Sequence, residues 1–142
     1  MKTVKGILDS KGYGVHVIDP DQTVLQALQE MAKHDVGALV VVERDRVIGL
    51  LSERHYARNV ILKGKFSKDV PVREIMNPRA ICVDPSQSVD SCMKLMTEHR
   101  TRHLPVLDGG RLLGLVSIGD VVNAIIEHQQ FTIDQLHHYI TG

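Results

Sequence analysis

Apolar residues recur at helical spacing along residues 24–32, where Val24, Leu25, Leu28, Met31 and Ala32 fall on one face. Val89, Cys92, Met93 and Met96 form the same stripe further on. Ahead of each predicted helix stands a short β-prone run, "VHVI" and "AICV", closed by an Asp-Pro turn. Behind each stand two more runs, "ALVVV" with "RVIGLL" and "HLPVL" with "RLLGLV". They are separated by "ERD" and by "DGG", the second a hairpin signal. A second helix starts at Ser52 and at Ser117, the latter with an apolar stripe of Ile118, Val121, Val122, Ile125 and Ile126. The tail "FTIDQLHHYITG" predicts one more short helix, capped by Thr132, with Ile133, Leu136, Tyr139 and Ile140 apolar.

The chain therefore repeats. Residues 17–61 align on 82–126 at a constant offset of 65, with no gap. Identities include Asp19/Asp84, Pro20/Pro85, Met31/Met96, Gly49/Gly114 and Ser52/Ser117. The leaders "VKGIL" (4–8) and "VREIM" (72–76) match as well, at an offset of 68. A single β-α-β-β-α unit is too small to cover both faces of its sheet. The expectation is an α/β (α+β) protein of two units, residues 1–66 and 67–142. They pack sheet to sheet with pseudo-twofold symmetry and leave two equivalent clefts.

Composition narrows the class. Of 142 residues, 43% are hydrophobic and 24% charged, and Lys plus Arg equals Asp plus Glu at 17 each. A neutral chain exerts no general pull on nucleic acid or an anionic membrane, so neither is an expected partner. No apolar run reaches the roughly 18 residues of a membrane helix, and the first residues lack a signal-peptide stretch. Cys82 and Cys92 sit opposite Val17 and Ala27 in the alignment, which suits packing in a reducing compartment. A cytoplasmic location is expected.

The polar positions differ between repeats where the apolar ones agree. "GLVSIGDV" carries Ser117 and Asp120 three residues apart, a capping box at a strand-to-helix turn. Its counterpart, "GLLSERHY", has His55 in place of the acid. A carboxylate at such a turn can accept both hydroxyls of a ribose cis-diol, and Ser117 can add a further bond. Neutral imidazole cannot grip a diol that way. Arg102 and His103 precede the strand "HLPVL", a position suited to phosphate, whereas the first repeat has uncharged Gly37 and Ala38 there. Eight His residues complete no metal-ligand spacing, so no metal is expected.

These motifs resemble a tandem pair of cystathionine-β-synthase-type (CBS) domains, a Bateman module, over residues 4–128. "HLPVLDGGRLLGLVSIGDV" and "GALVVVERDRVIGLLSERHYAR" carry the resemblance. It implies adenosine-containing ligands in inter-repeat clefts: AMP first, with ADP, ATP, NAD(H) or S-adenosylmethionine as others. By that likeness Ser117 and Asp120 meet the ribose, and Arg102 and His103 the phosphate. Lys11, Tyr13, His16 and Val36 lie near the adenine. The second cleft draws on Ser52, His55 and Arg58, with Ala80, Ile81 and Thr101. The resemblance also implies disc-like homodimers formed through the helices.

The expected function is regulatory: a non-enzymatic sensor of an adenine nucleotide that acts in trans on a target protein. The alternative is a ligand-free dimerisation scaffold. A small enzyme is the remote third, because the repeats consume the chain and leave no acid–base pair or nucleophile.

Overall fold

The computed structural model describes residues 3–62, 64 and 68–141. Its elements are α1 (Val4–Lys11), β1 (Val17–Ile18), α2 (Val24–His34), β2 (Ala38–Glu43) and β3 (Arg46–Ser52). There follow α3 (Glu53–Tyr56), a π-helical segment Ala57–Ile61, α4 (Val72–Ile75), α5 (Val89–His99), β4 (His103–Asp108), β5 (Arg111–Ser117) and α6 (Ile118–Thr141). From α2 to β3 and from α5 to β5 the bounds repeat at the sequence offset.

Local chemistry explains these bounds. Thr23 caps α2 in a capping box with Gln26, and the Ser88 hydroxyl accepts from the Ser91 amide at the start of α5. Both helices end in a left-handed residue, Asp35 at φ 52° and Arg100 at φ 51°. Strands β2 and β3 pair antiparallel from Ala38↔Ser52 to Glu43↔Arg46, with a bulge between Val41 and Val42. Their two-residue turn sets Arg44 and Asp45 at φ 51° and 64°. Gly109 and Gly110 do the same work between β4 and β5 without a Cβ to strain.

The chain divides into two compact units. One comprises Met1–Tyr13, Ile81–Asp108 and Gly114–Gly142; the other comprises Gly14–Ala80 and Gly109–Leu113.

In the Gly14–Ala80 unit the three strands run in the order β1-β2-β3, with β1 parallel to β2 through Val17↔Val40 and Ile18↔Val41. Its core gathers Ile18, Val24, Met31, Leu39, Val41, Leu51 and, from the second leader, Val70, Val72 and Ile75. That leader is stitched on by Val72 and Arg73 amides donating to the Gln22 and Pro20 carbonyls, and by a bridge between Leu50 and Asn77. Gly49 lies under the crossing: a Cβ there would stand 2.9 Å from the Asn77 carbonyl oxygen and 2.7 Å from Met76 Sδ.

In the other unit the first leader does the matching job. Val4 and Lys5 amides donate to the Gln87 and Pro85 carbonyls. A Cβ on Gly114 would meet Leu8 Cδ2 at 2.8 Å. Strand β4 pairs with β5, and Val83 bridges Val106 in parallel, as Ile18 does Val41. Val89, Cys92, Met96, Leu104, Val116 and Val121 are buried. Each leader thus packs with the helix and strands of the other repeat.

Two expectations change. The first β run of each repeat shortens, to two residues in β1 and to a single bridge at Val83. The tail is no separate helix: α6 runs unbroken for 24 residues, and the Thr132 hydroxyl donates to the His128 carbonyl instead of capping. Between Asp120 and Thr141 no Gly or Pro interrupts the helix, so the backbone ladder simply continues.

Candidate functional site

Strand β5 delivers Ser117 to the start of α6, and the box forms as the spacing predicts. The Asp120 amide donates to Ser117 Oγ at 3.2 Å, and the Ser117 amide donates to Asp120 Oδ2 at 2.8 Å. The capping role is therefore filled. A second partner was not foreseen: Lys11 Nζ, at the end of α1, lies 2.7 Å from the same Oδ2 and 2.9 Å from the Leu115 carbonyl oxygen. Asp120 is 21% exposed and Lys11 39%. Burial alone would raise the Asp120 pKa, but the Lys11 and Ser117 hydrogen bonds outweigh it and hold the carboxyl below its ordinary value. The group is ionised at neutral pH, which makes both its oxygens acceptors. A small hollow of about 120 Å³ opens beside it, lined by Ile7, Ser10, Lys11, Asn123 and Glu127 among others.

Arg102 reaches the same turn. Its carbonyl accepts from the Ile118 amide at 2.9 Å, tying the start of β4 to the first turn of α6, and its side chain is exposed. His103 is half-buried, and the Thr101 hydroxyl donates to its carbonyl at 3.1 Å. Tyr13 is 51% exposed and donates to Asp9 Oδ1 at 2.6 Å, so it is committed to α1.

The matching turn of the first repeat keeps the frame and alters the chemistry. The Glu53 amide donates to the Gly37 carbonyl at 3.1 Å, as Ile118 does to Arg102. Ser52 Oγ accepts from the His55 amide at 3.3 Å and lies 2.9 Å from His55 Nδ1. The imidazole closes on its own cap, where a carboxylate would have reached the Ser52 amide. Arg58 sits on the π-helical segment, and its side chain lies outside the described residues. His16 is exposed and stacks on His34, ring centroids 3.8 Å apart. Val36 lines a groove between α2 and α3, while Ala80 and Ile81 are half-buried backbone positions between leader and strand.

Sequence reasoning missed Lys11 as a partner of Asp120, since it was read only as a neighbour of the base. The spacing of 109 residues gives no local signal, though a basic residue closing the first leader helix was visible. Cys92 is buried and its thiol is pushed up to about 11 by that burial, which fits packing. Among the described residues no group of three or more His, Cys, Asp or Glu is placed to hold a metal ion, and no helix is long and apolar enough to cross a membrane.

The fold and its two capped turns define a duplicated β-α-β-β-α module. The CBS-domain family model matches residues 7–61 and 72–127, and the chain belongs to that family. It is 38% identical to the CBS domain-containing protein CBSX3, mitochondrial, of Arabidopsis thaliana, over 99% of this chain and 72% of that protein. A solved structure of a CBS-domain protein from Burkholderia ambifaria MC40-6 is 50% identical. It superposes with a TM-score of 0.87 over 93% of this chain and 99% of that one. The crystal structure of CBSX2 in complex with AMP shares the fold at 24% identity and a TM-score of 0.74, over 89% of this chain and 98% of that one.

Proposed function

We propose that the protein is a regulatory module that binds an adenine nucleotide, AMP before NAD(H), ATP or S-adenosylmethionine, at the turn that joins β5 to α6. One observation carries this reading. Asp120 is held ionised at a helix start, with Arg102 hydrogen-bonded to the same turn through its backbone. A carboxylate placed there suits a ribose diol, and the residue types of Arg102 and His103, at the start of the adjoining strand, suit phosphate. AMP heads the order because the family resemblance implies it, and the AMP complex of the distant CBSX2 is in keeping with that order. The turn at Ser52 and His55 is the weaker of two sites on this reading, because a neutral imidazole offers one bond where a carboxylate offers several.

The role is non-catalytic, exerted on a target protein in trans, and the module works as a homodimer. Cys82 and Cys92 are not joined in a disulfide, which suits a reducing compartment such as the cytoplasm. A ligand-free scaffold is the second reading, favoured by the exposed apolar side chains along α6, among them Ile126, Phe131, Leu136 and Tyr139.

A thermal-shift series with AMP, ATP, NADH and S-adenosylmethionine separates the two. A ligand at a hundred times its dissociation constant adds about 2.7 kcal/mol of stability. A shift with AMP that Asp120→Ala abolishes supports the sensor. No shift with any of the four leaves the scaffold.

A further inference from the structure

One short loop carries opposite charge in the two repeats. In the first repeat residues 34–38 read His-Asp-Val-Gly-Ala; in the second, residues 99–103 read His-Arg-Thr-Arg-His, with two guanidinium groups and no acid. Hydrogen bonds fix the second loop at both ends. The Arg100 and Thr101 amides donate to the Met96 carbonyl near the end of α5, and the Arg102 carbonyl accepts from the Ile118 amide in the first turn of α6. Between them the Thr101 hydroxyl donates to the His103 carbonyl. Arg100 holds the left-handed conformation, φ 51°, which Gly or Asn adopts at less cost, so ending the helix does not by itself call for an arginine. Arg100 and Arg102 are exposed, and neither has an ion-pair partner among the described residues. The adjoining acid, Glu98, lies 3.9 Å from Lys94.

We infer that Arg100 extends the phosphate end of the nucleotide site, takes the later phosphates of ADP and ATP, and so sets how closely these follow AMP. The inference rests on the nucleotide reading above and adds the residue that tells one phosphate from several. With the ribose at Asp120 and the first phosphate at Arg102, a longer ligand adds negative charge beside a loop whose other guanidinium is Arg100. That residue stands two positions back, at most about 7 Å of backbone away. A guanidinium forks over two phosphate oxygens and keeps its charge at any physiological pH. A loop already tied to α5 and α6 also loses little freedom when a ligand seats on it. AMP, with a single phosphate, has no group for Arg100 to hold. The first repeat has Asp35 at the matching position, in the same left-handed conformation, and a carboxylate there repels a phosphate chain.

Calorimetry of the full chain with AMP, ADP and ATP, without divalent cations, tests this in the parent and in Arg100→Asn, Arg100→Lys and Arg102→Ala. Asparagine suits the left-handed position, so the first variant keeps the loop while losing the guanidinium. Arg100→Asn raises the ratio of the ATP to the AMP dissociation constant about tenfold, with ADP between, the scale of one lost charge-assisted hydrogen bond. Arg100→Lys, which keeps the charge and loses the fork, recovers part of that ratio. Arg102→Ala weakens all three ligands, since each has a first phosphate. A parent chain that binds none of the three overturns the nucleotide reading and this one with it. Where the parent binds AMP, two results overturn the role of Arg100 and leave that reading standing. One is an Arg100→Asn variant in which AMP and ATP weaken by the same factor, the mark of a general field. The other is an unchanged ratio.

Discussion

Lys11 Nζ lies 2.7 Å from Asp120 Oδ2, so the carboxylate read as a ribose acceptor is already held by an ammonium from the first leader helix. Ligand binding at this turn competes with an internal contact. The pair is partly solvent-exposed, and such bridges contribute about 0.2–1 kcal/mol. Lys11→Met therefore tightens AMP binding by up to about fivefold and flattens its dependence on salt. Calorimetry at two ionic strengths checks both; weaker binding in the variant would assign Lys11 to the ligand.

Asp120→Ala removes the acceptor and half of the capping box together. AMP binding disappears from calorimetry, and about 1 kcal/mol of stability is lost. Ser117→Ala breaks the other half of the box, costs a similar amount, and leaves measurable though weaker binding. Equal binding losses in the two variants would point to the cap, not to the ligand.

Stability depends on pH through the same carboxyl. Its folded pKa lies below the ordinary value of 3.8, so the unfolded chain takes up the proton first as pH falls. The stabilisation is fully present well above pH 4 and is lost as pH falls through 3.8 and on through the lowered folded value. Melting curves between about pH 2 and 6 should show this loss in the parent chain and a shallower slope in Asp120→Asn.

The turn at Ser52 gains affinity from His55→Asp, which restores the acid three residues after the cap. In an Asp120→Ala background, AMP binding absent before the change appears after it. Continued silence in calorimetry would mean that the first repeat lacks more than the acid.

Gly49→Ala and Gly114→Ala both crowd a leader, but unequally. The new Cβ at 49 meets the backbone carbonyl of Asn77, which cannot turn aside, while at 114 it meets the end of the Leu8 side chain. Overpacking of this kind costs about 1–3 kcal/mol, and denaturant unfolding should place Gly49→Ala at the upper end and Gly114→Ala at the lower.

Much of this was present in the order of residues. The gapless offset between 17–61 and 82–126 determined the duplicated elements, and Ser117 with Asp120 determined a capped helix start. Local periodicity and local hydrogen bonding decide such features, and both are written within a few residues. Three things came only with tertiary structure. The leaders "VKGIL" and "VREIM" carry the same apolar pattern, so either suits either repeat; the folded chain sets each against the other repeat, as Val4 on Gln87 and Val72 on Gln22 record. The tail has a cap-forming Thr132 but nothing to stop the preceding turn, so helix propagation overrides the local start signal. The grip of Lys11 on Asp120 joins groups 109 residues apart, and only a fold that brings the end of α1 to the start of α6 makes it, since short-range patterns carry no record of distant electrostatics.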